Sequence, residues 1–186
     1  MSRGQLVVIS APSGVGKTTI CKHLLANHPD WLFSVSVTTR PGRFDEVNDK
    51  DYTFITNEQF NEYVNEDKFV EWEWVHNHRY GTLRSVLEDA LTNGKILLLE
   101  VDVKGGGNIK RQYPKETIAI FIDPPDLKTL FQRLKDRGTE SQAVIEQRMA
   151  RIPEEQTYKD AYDYAVVNDD LDRAVDQIES IIMETK

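Results

Sequence analysis

The sequence predicts an α/β fold: a five-stranded parallel sheet flanked by helices, with an inserted mixed α+β lobe and a small lid. Three features point to it. Short, nearly continuous apolar runs alternate with amphipathic stretches of helical period, as they do when parallel strands are buried on both faces. The first run breaks at once into a glycine-bearing loop that ends in Lys-Thr. Residues 40–80 then interrupt the alternation with polar and aromatic sequence.

The first strand is read at Leu6–Ser10. The loop after it, from Ala11 to Thr18, carries Gly14 and Gly16, which permit backbone conformations that a side chain forbids. Consecutive N–H groups of Ser13, Gly14, Val15 and Gly16 can then converge on phosphate oxygens, with Lys17 on the β- and γ-phosphates and the Thr18 hydroxyl on Mg²⁺. Thr19 continues into a helix whose N-terminus favours an anion. Ala11 stands where the usual signature has glycine. A second strand is read at Phe33–Val37. Inside the interruption, β-like pieces at Tyr52–Ile55 and Phe69–Trp74 flank a helix-like Asn57–Glu66, and Trp72 and Trp74 are assigned to the core of this lobe. Leu83, Val86, Leu87, Ala90 and Leu91 mark a helix capped by Thr82 and ended by Asn93-Gly94. Strands follow at Ile96–Val101, Thr117–Ile122 and Ala165–Val167. Between the last two, Leu127, Leu130, Phe131 and Leu134 share one helical face. Residues 137–147, opening with Arg-Gly-Thr, read as a flap between two helices. The last helix starts at Asp169-Asp170 and carries Leu171, Ala174, Val175, Ile178, Ile181 and Ile182. Right-handed crossovers place the ligand at the carboxyl ends of these strands.

With 186 residues, 39% of them apolar, the chain can bury the core of one domain. A formal charge of −8 argues against general nucleic-acid binding, though a local arginine cluster can still hold an anionic nucleotide. No apolar run reaches membrane-spanning length and no signal peptide is read, which makes the cytoplasm the default compartment. Cys21, the one cysteine, excludes an intramolecular disulfide and reads as a small buried residue.

Three features bear on a second substrate. Arg40 and Arg43 follow a predicted strand end among several hydroxyls; they either hold a phosphate monoester or belong to a solvated loop. Tyr52, Glu71, Tyr80 and Thr82 follow in the same lobe. A carboxylate there suits the paired N–H groups of guanine and not adenine, though in isolation a lone glutamate reads first as a surface residue. Glu100 and Asp102 close a buried strand; Asp102 is assigned to the metal and the arginine network, Glu100 to the acceptor pocket. His76 and His78 lack the further ligands of a zinc site.

At this point the chain resembles guanylate kinase along nearly its whole length. The segments that carry the likeness are SAPSGVGKTT at 10–19, SVTTRPGR at 36–43, DYTF at 51–54, FVEW at 69–72, RYGT at 79–82, LLLEVDVKG at 97–105, RLKDRGTE at 133–140 and VVNDDL at 166–171. The resemblance implies a P-loop kinase fold, with a core at 1–35 and 94–186, a GMP-binding lobe at 36–93 and a lid at about 137–148. It implies the reaction ATP + GMP → ADP + GDP with Mg²⁺, with dGMP as a further acceptor. It places the GMP phosphate on Arg40, Arg43, Tyr52 and Tyr80. It puts the guanine edge on Ser36 and Glu71, with Thr82, Glu100 and Asp102 beside them. Arg133, Arg137 and Arg148 match the lid and ATP-side arginines, and Asn168 the residue near adenine. The chain departs from the family pattern at Pro41-Gly42, at Phe44-Asp45 before Glu46, at Glu100, where Asp is commoner, and at Lys104-Gly105-Gly106.

The acceptor oxygen implied by this reading is already anionic, so no general base is assigned. Lys17, Arg40, Arg137 and Arg148 carry the catalytic charge stabilisation, and closure of the lobe and lid excludes water. A phosphopeptide-binding scaffold and a kinase of sugar phosphates are the rival readings; intact Lys17 and Thr18 oppose the first, Ser36 and Glu71 the second. Oligomeric state stays open.

Overall fold

The computed structural model describes residues 3–44, 46–75, 77–136 and 141–185. Five strands form a parallel sheet: β1 (Gln5–Ser10), β2 (Leu32–Phe33), β7 (Ile96–Glu100), β8 (Thr117–Asp123) and β9 (Tyr164–Val167). Their spatial order is β2-β7-β1-β8-β9, so β1 lies at the centre with its carboxyl end between those of β7 and β8. Leu6, Val7, Val8 and Ile9 are all fully buried because helices cover both faces. Val7 and Ile9 face α1 (Lys17–Asn27) and α7 (Leu171–Glu184), joining Ile20, Leu24, Val175 and Ile178. Leu6 and Val8 face α3 (Arg84–Thr92) and α4 (Val103–Gln112), joining Leu87, Leu91 and Ile109. Cys21 is buried in the first of these clusters, and burial pushes its thiol pKa well up.

The expected strand Phe33–Val37 is two strands in two sheets. β2 ends at Phe33, and β3 (Val37–Thr38) begins a second, four-stranded mixed sheet with β4 (Thr53–Phe54), β5 (Phe69–Val75) and β6 (His78–Leu83), in the order β4-β3-β6-β5. With α2 (Asn57–Asn65), capped by Thr56, this sheet makes the inserted lobe around Val37, Phe60 and Phe69. Trp72 and Trp74 do not fill that core. They lie on the edge strand β5, 37% and 59% exposed, with Trp72 edge-on to Phe60 and Trp74 stacked on the Arg79 guanidinium.

Three other expectations change. Thr82 lies in β6 and does not cap α3, whose N-cap residue, Leu83, offers no side-chain bond. α3 belongs to the main core, because Leu87, Ala90 and Leu91 pack on β1 and β7; the lobe's own sheet stops at Leu83, short of the expected 93. The expected flap at 137–147 is helical from Gln142, where α6 (Gln142–Gln156) starts; α5 (Leu127–Asp136) precedes it, and 137–140 lie outside the described residues. Asp170 caps α7 by accepting from the Arg173 N–H, as expected.

α4 contains three successive glycines in different surroundings. A Cβ on Gly106 would stand 2.2 Å from the Tyr162 hydroxyl and 2.6 Å from Ser10 Oγ, whereas one on Gly107 would meet nothing within 4 Å. Gly106→Ala should therefore lower stability by about 1–3 kcal/mol through overpacking. Gly107→Ala should raise it by up to ~1 kcal/mol through helix propensity. Urea unfolding of the two variants checks the contrast.

Candidate active site

The phosphate loop leaves β1 at Ser10 and enters α1 at Lys17. Gly14 and Gly16 have φ of 90° and 107°, conformations that side chains resist. Ala11 does not have a positive φ, so its replacement of glycine costs the loop nothing. No side chain caps α1 and no acidic residue lies in its first turn, which leaves its N-terminal amides for an anion. Lys17 Nζ rests 3.1 Å from the Ala11 carbonyl. Thr18 and Thr19 are exposed at the mouth. Asn168, expected at adenine, holds the loop from behind: its Nδ2 donates to the Val15 carbonyl at 2.7 Å in a buried bond. Arg133 reaches the same carbonyl from α5 at 3.4 Å.

In the lobe, β3 and β6 pair Thr38 with Tyr80, which brings Arg40 beside the tyrosine. Arg40 Nε donates to the Tyr80 hydroxyl at 3.1 Å, and the guanidinium lies 5.3 Å over the Tyr52 ring. Its Nη1 and Nη2 donate to the two Glu46 oxygens at 2.9 and 2.7 Å, a bidentate pair that raises the Arg40 pKa and lowers that of Glu46. Arg43 is not seated with it. It is exposed, and its backbone N–H, not its side chain, bonds Glu46. Ser36 is half-buried just before β3. Glu71 on β5 faces Thr82 on β6, whose hydroxyl donates to Glu71 Oε1. Burial is the largest influence on Glu71 and pushes its pKa to about 7; the Thr82 bond opposes this, and the charges of Asp102 and Glu73 add to it. Gly105 lets Glu71 in: a Cβ there would stand 2.6 Å from Oε2.

Glu100 and Asp102 do not divide as expected. β7 ends at Glu100, whose Oε1 accepts from the Thr18 hydroxyl at 2.7 Å, so Glu100 is the carboxylate at the phosphate loop. Its charge also reaches Tyr52, which burial first and then Glu100 push to about 12. Asp102 has left the strand and caps α4, accepting from the Gly105 N–H at 2.6 Å, on the Glu71 side. Two residues apart on a continuing strand they would share a face; the chain turns at Val101 and separates them. Hydroxyl and carboxylate at Thr18–Glu100 make the all-oxygen donor set of a hard divalent cation. Among the described residues, no group of three or more His, Cys, Asp or Glu could hold a metal ion, His78 included; His76 lies outside them.

On the far side, α6 carries Arg148, half-buried, and Glu155, which accepts from the Ser13 N–H at 3.4 Å. Burial raises the Glu155 pKa. Arg137 lies outside the described residues. Glu46, Glu155 and Asp136, which lines a cavity beside the loop, were missed in the sequence reading. The spacing Arg148, Arg151, Glu155 is one helical face, and Arg133, Asp136 another; those periods were the available signal.

A model of the family described as guanylate kinase matches residues 3–185. Guanylate kinase of Caldanaerobacter subterraneus subsp. tengcongensis is 44% identical over 184 residues, 99% of this chain and 89% of the relative. That of Thermotoga maritima is 43% identical over 97% of this chain and 86% of the relative. The crystal structure of guanylate kinase from Anaplasma phagocytophilum superposes with a TM-score of 0.80 at 30% identity, covering 99% of this chain and 87% of that one.

Thr82→Val keeps the side chain's shape and removes the donor to Glu71. The Glu71 pKa should rise above its value of about 7, because the ionised form loses its bond. A carbon-detected NMR titration of glutamate side chains reads the change; an unmoved midpoint would count against the Thr82 bond.

Proposed function

This chain belongs to the guanylate kinase family, and we propose which of its residues carry that family's reaction, transfer of the ATP γ-phosphoryl group to GMP to give ADP and GDP. One observation carries the acceptor assignment. Glu71 is a half-buried carboxylate bonded by a neutral hydroxyl, and no cation pairs with it among the described residues. Such a group is completed by a ligand edge that presents two N–H donors, as guanine does. Ser36 and Thr82 flank that edge. Arg40, Tyr52 and Tyr80 hold the GMP phosphate, and Arg43 joins them from its exposed place on the loop. The same residues accept dGMP, since none is assigned to the ribose 2′-hydroxyl.

Lys17 and the amides of Ser13 to Thr18 hold the ATP phosphates. Thr18 and Glu100 present oxygens to a Mg²⁺ carried in on the nucleotide. When bound, the ion neutralises phosphate charge. The attacking GMP oxygen is anionic, so what the protein supplies is alignment and charge stabilisation. Arg133, Arg137 and Arg148 approach the transferring group as residues 36–83 and the segment around 137–148 close over the sheet, which excludes water. We place the reaction in the cytoplasm, where both nucleotides are found. No helix among the described residues is long and apolar enough to cross a membrane.

A coupled ADP-release assay with GMP, AMP and UMP tests the assignment. Lys17→Ala should lower turnover at least ~10²-fold with any acceptor. Glu71→Gln should leave the ATP requirement alone and raise KM for GMP roughly 10–100-fold, as expected for loss of a charged hydrogen-bonding partner.

The wild-type protein should show a further signature. Only the ionised Glu71 accepts both guanine N–H groups. With its pKa at about 7, KM for GMP should fall as pH rises through 7 and level off above it. In Glu71→Gln that dependence should vanish. Equal activity on AMP, or a flat KM in the wild type, would show that Glu71 does not read the base.

A further inference from the structure

We propose that Gln112, at the end of α4, is a positioning residue for the acceptor base: it holds a bulge in β5 and so aims Glu71 into the site. The inference rests on the assignment of Glu71 to the guanine edge made above.

β5 does not pair evenly with β6. Phe69 stands opposite Leu83 and Glu71 opposite Thr82, so the register shifts between them and Val70 is the extra residue of a bulge. The side chains follow the bulge. On a regular strand, residues three apart point to opposite faces, yet Phe69 and Trp72 both meet the Phe60 ring. Val70 and Glu71 are neighbours in sequence, yet both turn to the main core: Val70 is buried in the cluster of Leu87 and Ile109, and Glu71 reaches Gly105 of α4. Without the extra residue, placing Val70 in the core would turn Glu71 to the other face of the sheet.

A bulge needs partners for the backbone groups that the ladder no longer serves. β5 is also the edge strand of its sheet. Gln112 Nε2 donates to the Val70 carbonyl at 2.7 Å, and Arg84 Nη2 donates to the Phe69 carbonyl at 3.1 Å. Arg84 Nη1 donates to Gln112 Oε1 at 3.2 Å, which fixes the amide with its donor towards β5. Glu71 is thus aimed from the main core, although its strand belongs to the lobe. Gln112 itself is exposed, so a side chain of similar size can replace it without opening the core.

Steady-state kinetics with GMP and Mg-ATP, on Gln112→Met alone and combined with Glu71→Gln, test this. Methionine keeps the length and loses the donor. Gln112→Met should raise KM for GMP about 3–10-fold, the size expected of one hydrogen bond, with kcat and KM for ATP within about twofold of wild type. In the Glu71→Gln background the same substitution should change KM for GMP by less than about twofold, because the group it aims is already gone. Gln112→Glu keeps the acceptor for Arg84 and should raise KM for GMP as Gln112→Met does; a wild-type KM there would assign the effect to Arg84 and overturn the proposal. An unchanged KM for GMP in Gln112→Met overturns it, as does an equal rise in KM for ATP, which marks a general loss of structure. An equal rise in both backgrounds also overturns it, since Gln112 would then act on GMP by a route other than Glu71. If Glu71→Gln itself leaves KM for GMP unchanged, the reading of Glu71 fails and the proposal with it.

Discussion

The site depends on the register of two central strands. β1 and β7 run parallel with Ile9 opposite Glu100, so both chains leave the sheet at the same level. From one end grows the phosphate loop and from the other the carboxylate that bonds Thr18. A slip of one residue in this pairing would turn Glu100 to the opposite face, away from Thr18. The register is held by burial on both faces: Val7, Ile9 and Leu98 in one apolar cluster, Leu6, Val8, Leu97 and Leu99 in the other. The same apolar packing that stabilises the sheet therefore fixes the polar junction at its edge.

Around that junction the chain, acidic overall at −8, gathers carboxylates where two anionic substrates must approach. The apparent contradiction resolves residue by residue. Asp102 is occupied by the amide of Gly105 at the start of α4. Glu46 is neutralised by Arg40. Glu71 is held near neutrality by burial, with a pKa of about 7. Glu155 is likewise pushed up by burial against the loop. Local pairing and desolvation thus cancel much of the repulsion that the formal charge suggests.

The fold was legible where a periodic apolar pattern and a local cap agreed. Leu6–Ser10, Ile96–Val101 and Thr117–Ile122 are strands within a residue of the sequence reading, and Asp170 caps the helix it was expected to start. It was illegible where composition misleads. β6, His-Arg-Tyr-Gly-Thr-Leu, has no apolar alternation, because Gly81 there makes room for the Phe69 ring. α4 contains Gly105-Gly106-Gly107, a run that argues against a helix until its neighbours are known. In the site, Lys17 and Thr18 were legible because the loop chemistry is contiguous in sequence. Glu155 was not, because its partner, Ser13, lies 142 residues away. The exchange between Glu100 and Asp102 turned on where one strand stops, and strand ends are the least readable feature of a sequence.

The 41–46 loop, where the sequence reading notes departures from the family pattern, shows how Arg40 is held independently of the side chains between it and Glu46. Arg40 is anchored by Tyr80, by the Pro41 carbonyl at 2.8 Å and by Glu46. Glu46 in turn accepts from the Arg43 backbone N–H and donates its own N–H to the Arg43 carbonyl. Of these contacts, those contributed by the loop between Arg40 and Glu46 are made by the main chain. Side chains at 41 and 44 can therefore change without moving the guanidinium, as the fully exposed Phe44 illustrates. What the loop must keep is its length and the two ends, Arg40 and Glu46. Its tolerance is bounded at Gly42, where an added Cβ would press to 3.3 Å on the Phe54 ring, itself stacked near Arg40. A substitution there would reach the guanidinium through packing, where one at 44 would reach only solvent.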